Sequence, residues 1–311
     1  MKALRKFNCT APTAAFFREN RTRVIQRLLG AGVVPPESFI LLVGPREQSI
    51  YDDDMEFGLA PENTFYHLMG ISEADTCGLI DVQNNFATLF VSFPDPQKTF
   101  WVKHRSKEHY LTTGKFDEVL SFDALANTLQ LRVGPRKLFL CGGTNPLSGL
   151  PLTAPTEELR TCLANCDVDF TTIFEHLCEE RVRKTGEELR LLKQSVDLAV
   201  LGHTEMLREI TPEITEVQLA NKFEFVLRYI ANAETAFETV VAAGRNGQFS
   251  AHTPSALNAL AAGQLVVMEA GARLFGYSSD VARTFPVGRS FTARQRQIYD
   301  AVVTAQEALL A

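Results

Sequence analysis

The stretch Leu265-Val266-Val267-Met268-Glu269-Ala270-Gly271, followed by Arg273-Leu274-Phe275-Gly276-Tyr277 and then Ser278-Ser279-Asp280-Val281-Ala282-Arg283-Thr284-Phe285, decides how the second half of this chain is read. Two runs rich in Val, Phe and Thr flank a glycine-bearing turn, the pattern of an antiparallel hairpin. With the turn centred between Leu274 and Phe275, Glu269 falls opposite Asp280 on one face, and directly opposed Cβ atoms lie about 4.5 to 5.5 Å apart. Carboxylates this close repel unless a cation or a shared proton lies between them, so the pair suits a hard divalent ion such as manganese or magnesium. The same spacing is met by carboxylates that face solvent or pair with Arg273 or Arg283, and spacing alone does not choose.

Upstream of the hairpin, Thr185 with Glu188 forms a T-x-x-E capping box, and Leu189, Leu192, Val196, Ala199, Val200 and His203 follow at helical spacing. His203, on that apolar face, reads as a packing histidine. Pro212 breaks the pattern, after which Thr215 with Gln218 caps a second helix bearing Leu219, Phe223, Val226 and Leu227. Strands are expected over 237–242, 265–270 and 278–285, with the two helices covering one sheet face, an α+β arrangement. A last helix begins at a further capping pair, Thr292 with Gln295, and carries Ile298, Tyr299, Val302, Val303 and Leu309 toward Ala311.

The first half alternates differently. A helix over 11–30, with an apolar stripe of Phe16, Phe17, Val24, Ile25, Leu28 and Leu29, precedes short apolar runs expected as strands over 38–43, 76–81, 87–92, 99–102 and 137–141. Strands interleaved with helices make an α/β domain. Composition turns Pro- and Thr-rich near Pro151 to Pro155, and the expected division is residues 1–165 and 166–311. Asp52, Asp53 and Asp54 lack the Gly and Glu of a calcium loop and read as a solvated turn.

Bulk properties narrow the partners. A length of 311 residues allows two domains, and 45% apolar with 22% charged residues describes an ordinary globular chain. A net charge of -6 provides no phosphate-neutralising field, which argues against nucleic acid. The six cysteines form no CxxC pair, and Cys162 with Cys166 has no second pair to complete a zinc set, so reduced thiols are expected. No apolar run reaches membrane-spanning length, and a soluble cytoplasmic protein is expected.

The Glu269-Ala270-Gly271 and Gly276-Tyr277-x-x-Asp280-x-x-Arg283-Thr284-Phe285-Pro286 pattern resembles the first two metal-ligand strands of the pita-bread metallopeptidases, which include prolidase, aminopeptidase P and methionine aminopeptidase. Arg181-Val182-x-Lys184-Thr185-x-x-Glu188-Leu189-x-x-Leu192 resembles the helix that opens their catalytic domain, and Gly244-Arg245-Asn246-Gly247 their substrate-side loop. Glu62 to Gly70, Gly78-Leu79-Ile80-Asp81 and His104 to Tyr110 resemble prolidase in particular, extending the likeness over nearly the whole chain.

That resemblance implies a creatinase/prolidase-like α/β domain followed by a partial α+β pita-bread domain. It also implies hydrolysis of the bond before a C-terminal proline in dipeptides, manganese (Mn2+) or a related divalent ion, and a homodimer. Glu269 and Asp280 are then metal ligands. His252 lies near the family's substrate-contacting or proton-transferring histidine, although its spacing from Gly247 is not a clean match. Where the family's first ligand is normally Asp, this chain has Glu269, whose extra methylene displaces the oxygens by about 1 Å in a site whose ions stand about 3.5 to 4 Å apart. The family's remaining ligands, one His and two Glu, follow the last helix, so an incomplete catalytic domain is expected. The competing reading is a catalytically inactive, truncated homologue serving as dimer partner or as a peptide- or protein-binding module.

Overall fold

Thr13 starts the first helix, α1 (Ala14–Gly30), its hydroxyl accepting from the Phe16 amide at 3.4 Å. The computed structural model describes residues 6–45, 62–93, 105–141, 157–288 and 290–311. The chain divides into two compact units: Pro12–Thr185, and Gly186–Ala311 together with the N-terminal segment up to Ala11.

In the first unit, α1 is followed by β1 (Phe39–Val43), α2 (Asn63–Met69), β2 (Thr76–Asp81), β3 (Phe86–Val91), α3 (Lys107–Thr113), β4 (Glu118–Ser121) and α4 (Leu125–Thr128). Then come β5 (Lys137–Leu140), α5 (Glu157–Leu163), β6 (Asp167–Asp169) and α6 (Phe174–Val182). The strands form one sheet in the order β4-β3-β2-β1-β5-β6, in which β2 runs antiparallel to both neighbours and the other pairings are parallel. Both faces are covered. Ile40 and Leu42 pack with Val24, Ile25 and Leu28 of α1, while Phe39 and Leu41 pack with Leu125 and Leu163 on the other side. A strand buried on both faces has no polar side, which is why Phe39-Ile40-Leu41-Leu42-Val43 reads as an unbroken apolar run.

The strands expected over 38–43, 76–81, 87–92 and 137–141 are present to within a residue at each end, whereas 99–102 and Asp52 to Asp54 lie outside the described residues. The first compact unit runs past the expected division at residue 165. β6 adds to β5 through Leu138↔Val168, and Leu177 of α6 is buried in the same cluster as Val24, so the unit extends to Thr185. The added strand, Asp167-Val168-Asp169, is three residues long and too short to stand out in the sequence.

One polar side chain ties this unit together. Arg21, 1% exposed, donates to Leu68 O at 2.8 Å, to Gly114 O at 3.2 Å and to Lys115 O at 2.7 Å, with its guanidinium over the Phe116 ring. Those carbonyls lie at the C-terminal ends of α2 and α3, where the helix dipole favours a cation. Burial pulls the Arg21 pKa down to about 10, with Asp117 pulling the other way, and the side chain stays charged at neutral pH.

The second unit comprises α7 (Gly186–Glu209), α8 (Glu216–Ala231), β7 (Glu234–Thr235), β8 (Val240–Ala243), β9 (Leu265–Ala270), β10 (Ala272–Leu274), β11 (Tyr277–Ser278), β12 (Val281–Pro286) and α9 (Ala293–Leu310). Two antiparallel sheets result, β12-β9-β8 and β11-β10-β7, and residues of α7 and α8 share a core with Val266, Met268 and Ala270. The N-terminal segment straps onto these helices. The Phe7 amide donates to Ile230 O at 3.1 Å, and Thr10 O accepts from Arg190 Nη1 at 3.0 Å and Gln194 Nε2 at 3.2 Å.

Thr215 and Thr292 each form the full capping box expected of them, with Gln218 and Gln295 respectively. The apolar face expected on α7 is corrected. Ala199 and His203 are buried, but Leu189, Val196 and Val200 are exposed, and Glu188, Leu191, Ser195, Leu198, Gly202 and Met206 take the inward places. Hydropathy points to the wrong stripe because two buried positions are polar and satisfied where they lie. Glu188 accepts from the Tyr277 hydroxyl at 3.1 Å, and Ser195 Oγ donates to Ala272 O at 2.6 Å. His203 is the packing histidine expected. It is buried edge-on to Phe223, and burial lowers its pKa so that it stays neutral. The strand expected over 278–285 is split into β11 and β12.

Candidate active site

The hairpin between β10 and β11 turns on two residues with left-handed backbones, Phe275 (φ 51) and Gly276 (φ 77), and pairs Leu274 with Tyr277. Such a turn matches the strand twist, at the expense of a non-glycine residue at positive φ. Its centre lies one residue further along than a turn centred between Leu274 and Phe275. Glu269 therefore pairs with Ala282 rather than Asp280, and Val281 pairs with Ala270. Continued by one pair, the same register places Asp280 opposite Gly271. The expected direct opposition of the two carboxylates becomes a diagonal one, which spans about 7 to 8 Å in an antiparallel ladder. Asp280 and Ala282 are two apart, so alternation keeps Glu269 and Asp280 on one sheet face.

That face is the one opposite the helices. Leu265, Val267 and Glu269, all partly exposed, alternate with the buried Val266, Met268 and Ala270, and Asp280 and Ala282 are exposed. Gly271 sits where the ladder tightens: a Cβ there would stand 1.8 Å from Ser279 O, so no larger residue fits without moving the backbone. The turn Gly244–Gln248 that follows β8 lies over the same face. A methyl on Gly247 would meet Val267 Cγ2 at 3.5 Å, and Val267 neighbours Glu269 on that side of β9.

His252 is tied to the Gly244–Gln248 turn by a residue that carries no signal in the sequence. Glu216, the first residue of α8, has a side chain with no solvent exposure and serves as the hub of the loops around it. Its Oε1 accepts from the Ala243 amide at 2.8 Å, Asn246 Nδ2 at 3.0 Å and Asn258 Nδ2 at 2.7 Å. Its Oε2 meets His252 Nε2 at 2.9 Å and the Ser255 amide at 3.0 Å. Burial alone raises the pKa of a carboxyl group, but the donors from Ala243, His252, Asn246 and Ser255 outweigh it and hold Glu216 at about 2. A Glu in the first turn of a helix ordinarily faces solvent and complements the dipole, so nothing local distinguishes this one. The hint lies in its partners, a loop with Asn246, His252 and Asn258 and few apolar residues.

Glu269 and Asp280 present carboxylate oxygens on a shared face, the hard donor type that suits a divalent cation. Among the described residues, no group of three or more His, Cys, Asp or Glu side chains is arranged to hold a metal ion.

Residues 190–311 match the model of the metallopeptidase family M24, and residues 17–139 that of the aminopeptidase P N-terminal domain. Together the two matches take in most of the chain, which is similar over one part to metallopeptidase family M24 and over the other to the aminopeptidase P N-terminal domain. It is 27% identical to the Xaa-Pro dipeptidase of Mus musculus over 93% of its own length and 59% of that protein's. With the Xaa-Pro dipeptidase of Homo sapiens it shares 26% over 95% of its length and 60% of the relative's. The chain spans about three-fifths of the length of these curated relatives. Aminopeptidase P from E. coli, solved with the inhibitor Pro-Leu, has the same fold: the TM-score is 0.82 at 20% identity, over 96% of this chain and 68% of that one. Among the described residues, no helix is long and apolar enough to cross a membrane.

Proposed function

We propose that this chain is the N-terminal domain and part of the catalytic domain of a metal-dependent Xaa-Pro peptidase that hydrolyses the bond before a C-terminal proline. The observation that carries this reading is the single sheet face holding Glu269 and Asp280, with the Gly244–Gln248 turn laid over it and His252 tethered to that turn through Glu216. Glu269 and Asp280 are two of the oxygen donors for a divalent ion, manganese in our reading. His252 is the substrate-side group that carries a proton or contacts the substrate. The names of the dipeptidase relatives support proline-containing dipeptides as substrates. A cytoplasmic homodimer completes the proposal, drawn from the family likeness.

The chemistry needed of the chain's own residues is modest. Hydrolysis of an amide moves a proton from the attacking water to the departing nitrogen, and an imidazole can accept that proton and pass it on near neutral pH. The test is hydrolysis of Gly-Pro and Ala-Pro by the purified chain with added manganese, beside Gly-Leu as a substrate lacking proline. Turnover of the proline dipeptides, abolished in Asp280→Ala, supports the proposal. Folded protein that neither turns over these dipeptides nor binds manganese in a way that Asp280→Ala abolishes, or equal cleavage of Gly-Leu, refutes it and leaves the binding-module reading ahead.

A further inference from the structure

We propose that Glu216 is a positioning residue of this site: its carboxylate fixes His252 in the tautomer protonated on Nε2, so that Nδ1 is the ring's proton-accepting nitrogen. The inference rests on the reading of His252 as the substrate-side group, and goes beyond it by assigning the ring its orientation and its chemical state.

Donor and acceptor accounting carries the assignment. Two of the five groups around the Glu216 carboxylate are backbone amides, from Ala243 and Ser255, which can only donate. Asn246 and Asn258 each turn their Nδ2 amide toward Oε1. With four donors already aimed at it, the carboxylate is an anion that accepts throughout, and a ring nitrogen at 2.9 Å from its Oε2 must bring a hydrogen. A neutral imidazole has one N–H, so protonating Nε2 leaves Nδ1 bare. Among the described residues, Nδ1 has no hydrogen-bond partner.

The same carboxylate also fixes the ground on which the ring stands. It binds the end of β8 through Ala243, the following turn through Asn246, and the 252–258 segment through His252, Ser255 and Asn258. That segment is further held by backbone bonds from Glu216 N to Asn258 O at 3.3 Å and from Glu213 N to Leu260 O at 2.9 Å. One buried anion therefore sets the positions of the turn over the Glu269 face and of the histidine together. A carboxylate placed only for stability needs no imidazole among its donors, because bound water or a further amide satisfies Oε2 equally well.

The experiment is long-range proton–nitrogen correlation NMR on the full chain labelled with nitrogen-15, at about pH 8, where an ordinary imidazole is neutral. His252→Gln assigns the signal among the six histidines. The expected spectrum shows a protonated Nε2 and an unprotonated Nδ1. In Glu216→Gln the Nε2-protonated fraction falls toward that of an unpartnered ring, and Glu216→Asp, which keeps the charge, restores it in part. A wild-type His252 protonated on Nδ1 overturns the proposal without recourse to any variant, and so does an unchanged tautomer in Glu216→Gln. If proline dipeptides are turned over, Glu216→Gln is expected to lower kcat by about tenfold or more with less than about a threefold change in KM, and to lower it clearly less in the His252→Gln background than in the wild type. Additive losses refute the coupling. Absence of turnover bears only on the enzymatic reading, since the tautomer is measured without substrate.

Discussion

Replacing Glu216 by Gln tests the energetics of the loop hub directly. The carboxyl is held at about 2 in the folded protein, against an ordinary value of 4.5. At about 1.36 kcal/mol per unit, that difference is worth about 3 kcal/mol of stability at neutral pH. The sign follows from the depressed folded value. The contribution is fully present above about pH 5 and is lost as pH falls through 4.5 toward 2. At pH 3.5 about 2 kcal/mol remains, and at pH 2 almost none. Glutamine carries no charge at any of these pH values, and its amide nitrogen would face donors, so Glu216→Gln forfeits the contribution at every pH. The free-energy gap between wild type and variant is therefore expected to be about 3 kcal/mol or more at pH 7 and to narrow by about 1 kcal/mol at pH 3.5. Hydrogen exchange followed by mass spectrometry on peptides of α8, β8 and the 252–258 segment measures it without assuming that the two units unfold together. A gap below about 1 kcal/mol at pH 7, or one that does not change with pH, would falsify the account of Glu216 as an ionised hub.

Three further outcomes are expected. Arg21→Ala leaves the carbonyls of Leu68, Gly114 and Lys115 without their donor and opens a cavity beside Phe116, and should cost the first unit about 3 to 5 kcal/mol in urea unfolding; a loss under about 1 kcal/mol is incompatible with its role. Gly271→Ala drives a methyl into Ser279 O, so a drop in melting temperature of several degrees is expected, and an unchanged value means that the hairpin relaxes freely. Thr292→Ala removes one half of the α9 capping box and should lower helicity near residue 292 at a cost of about 1 kcal/mol, read from local hydrogen exchange.

How much of this is legible in the sequence varies with the physics of each element. Strands buried on both faces announce themselves as apolar runs, and capping boxes at Thr215 and Thr292 mark helix starts because the pairing is local. The α7 face misleads because Glu188 and Ser195 are buried with partners, Tyr277 and Ala272, that lie at least 77 residues away in the chain. The hairpin turn is displaced by one position because Phe275 adopts a positive φ that sequence would assign to glycine alone. The carboxylates of Glu269 and Asp280 are visible by type and spacing. Glu216 is not, since its burial is created by a loop that folds over it from 27 to 42 residues downstream.

The strap at Phe7 to Thr10 has a consequence for how the chain is made. Phe7 is synthesised 223 residues before its partner Ile230 (230 minus 7). At about 5 to 20 residues per second, that partner follows roughly 10 to 45 s afterwards, long enough for the first unit to fold in between. For that interval the apolar Phe7 and Cys9 have no core to enter, and the nascent second unit completes itself only when this waiting segment returns to it. A chaperone that shields short apolar segments during synthesis should therefore raise the yield of folded chain, and a cell-free system paced more slowly should lower it.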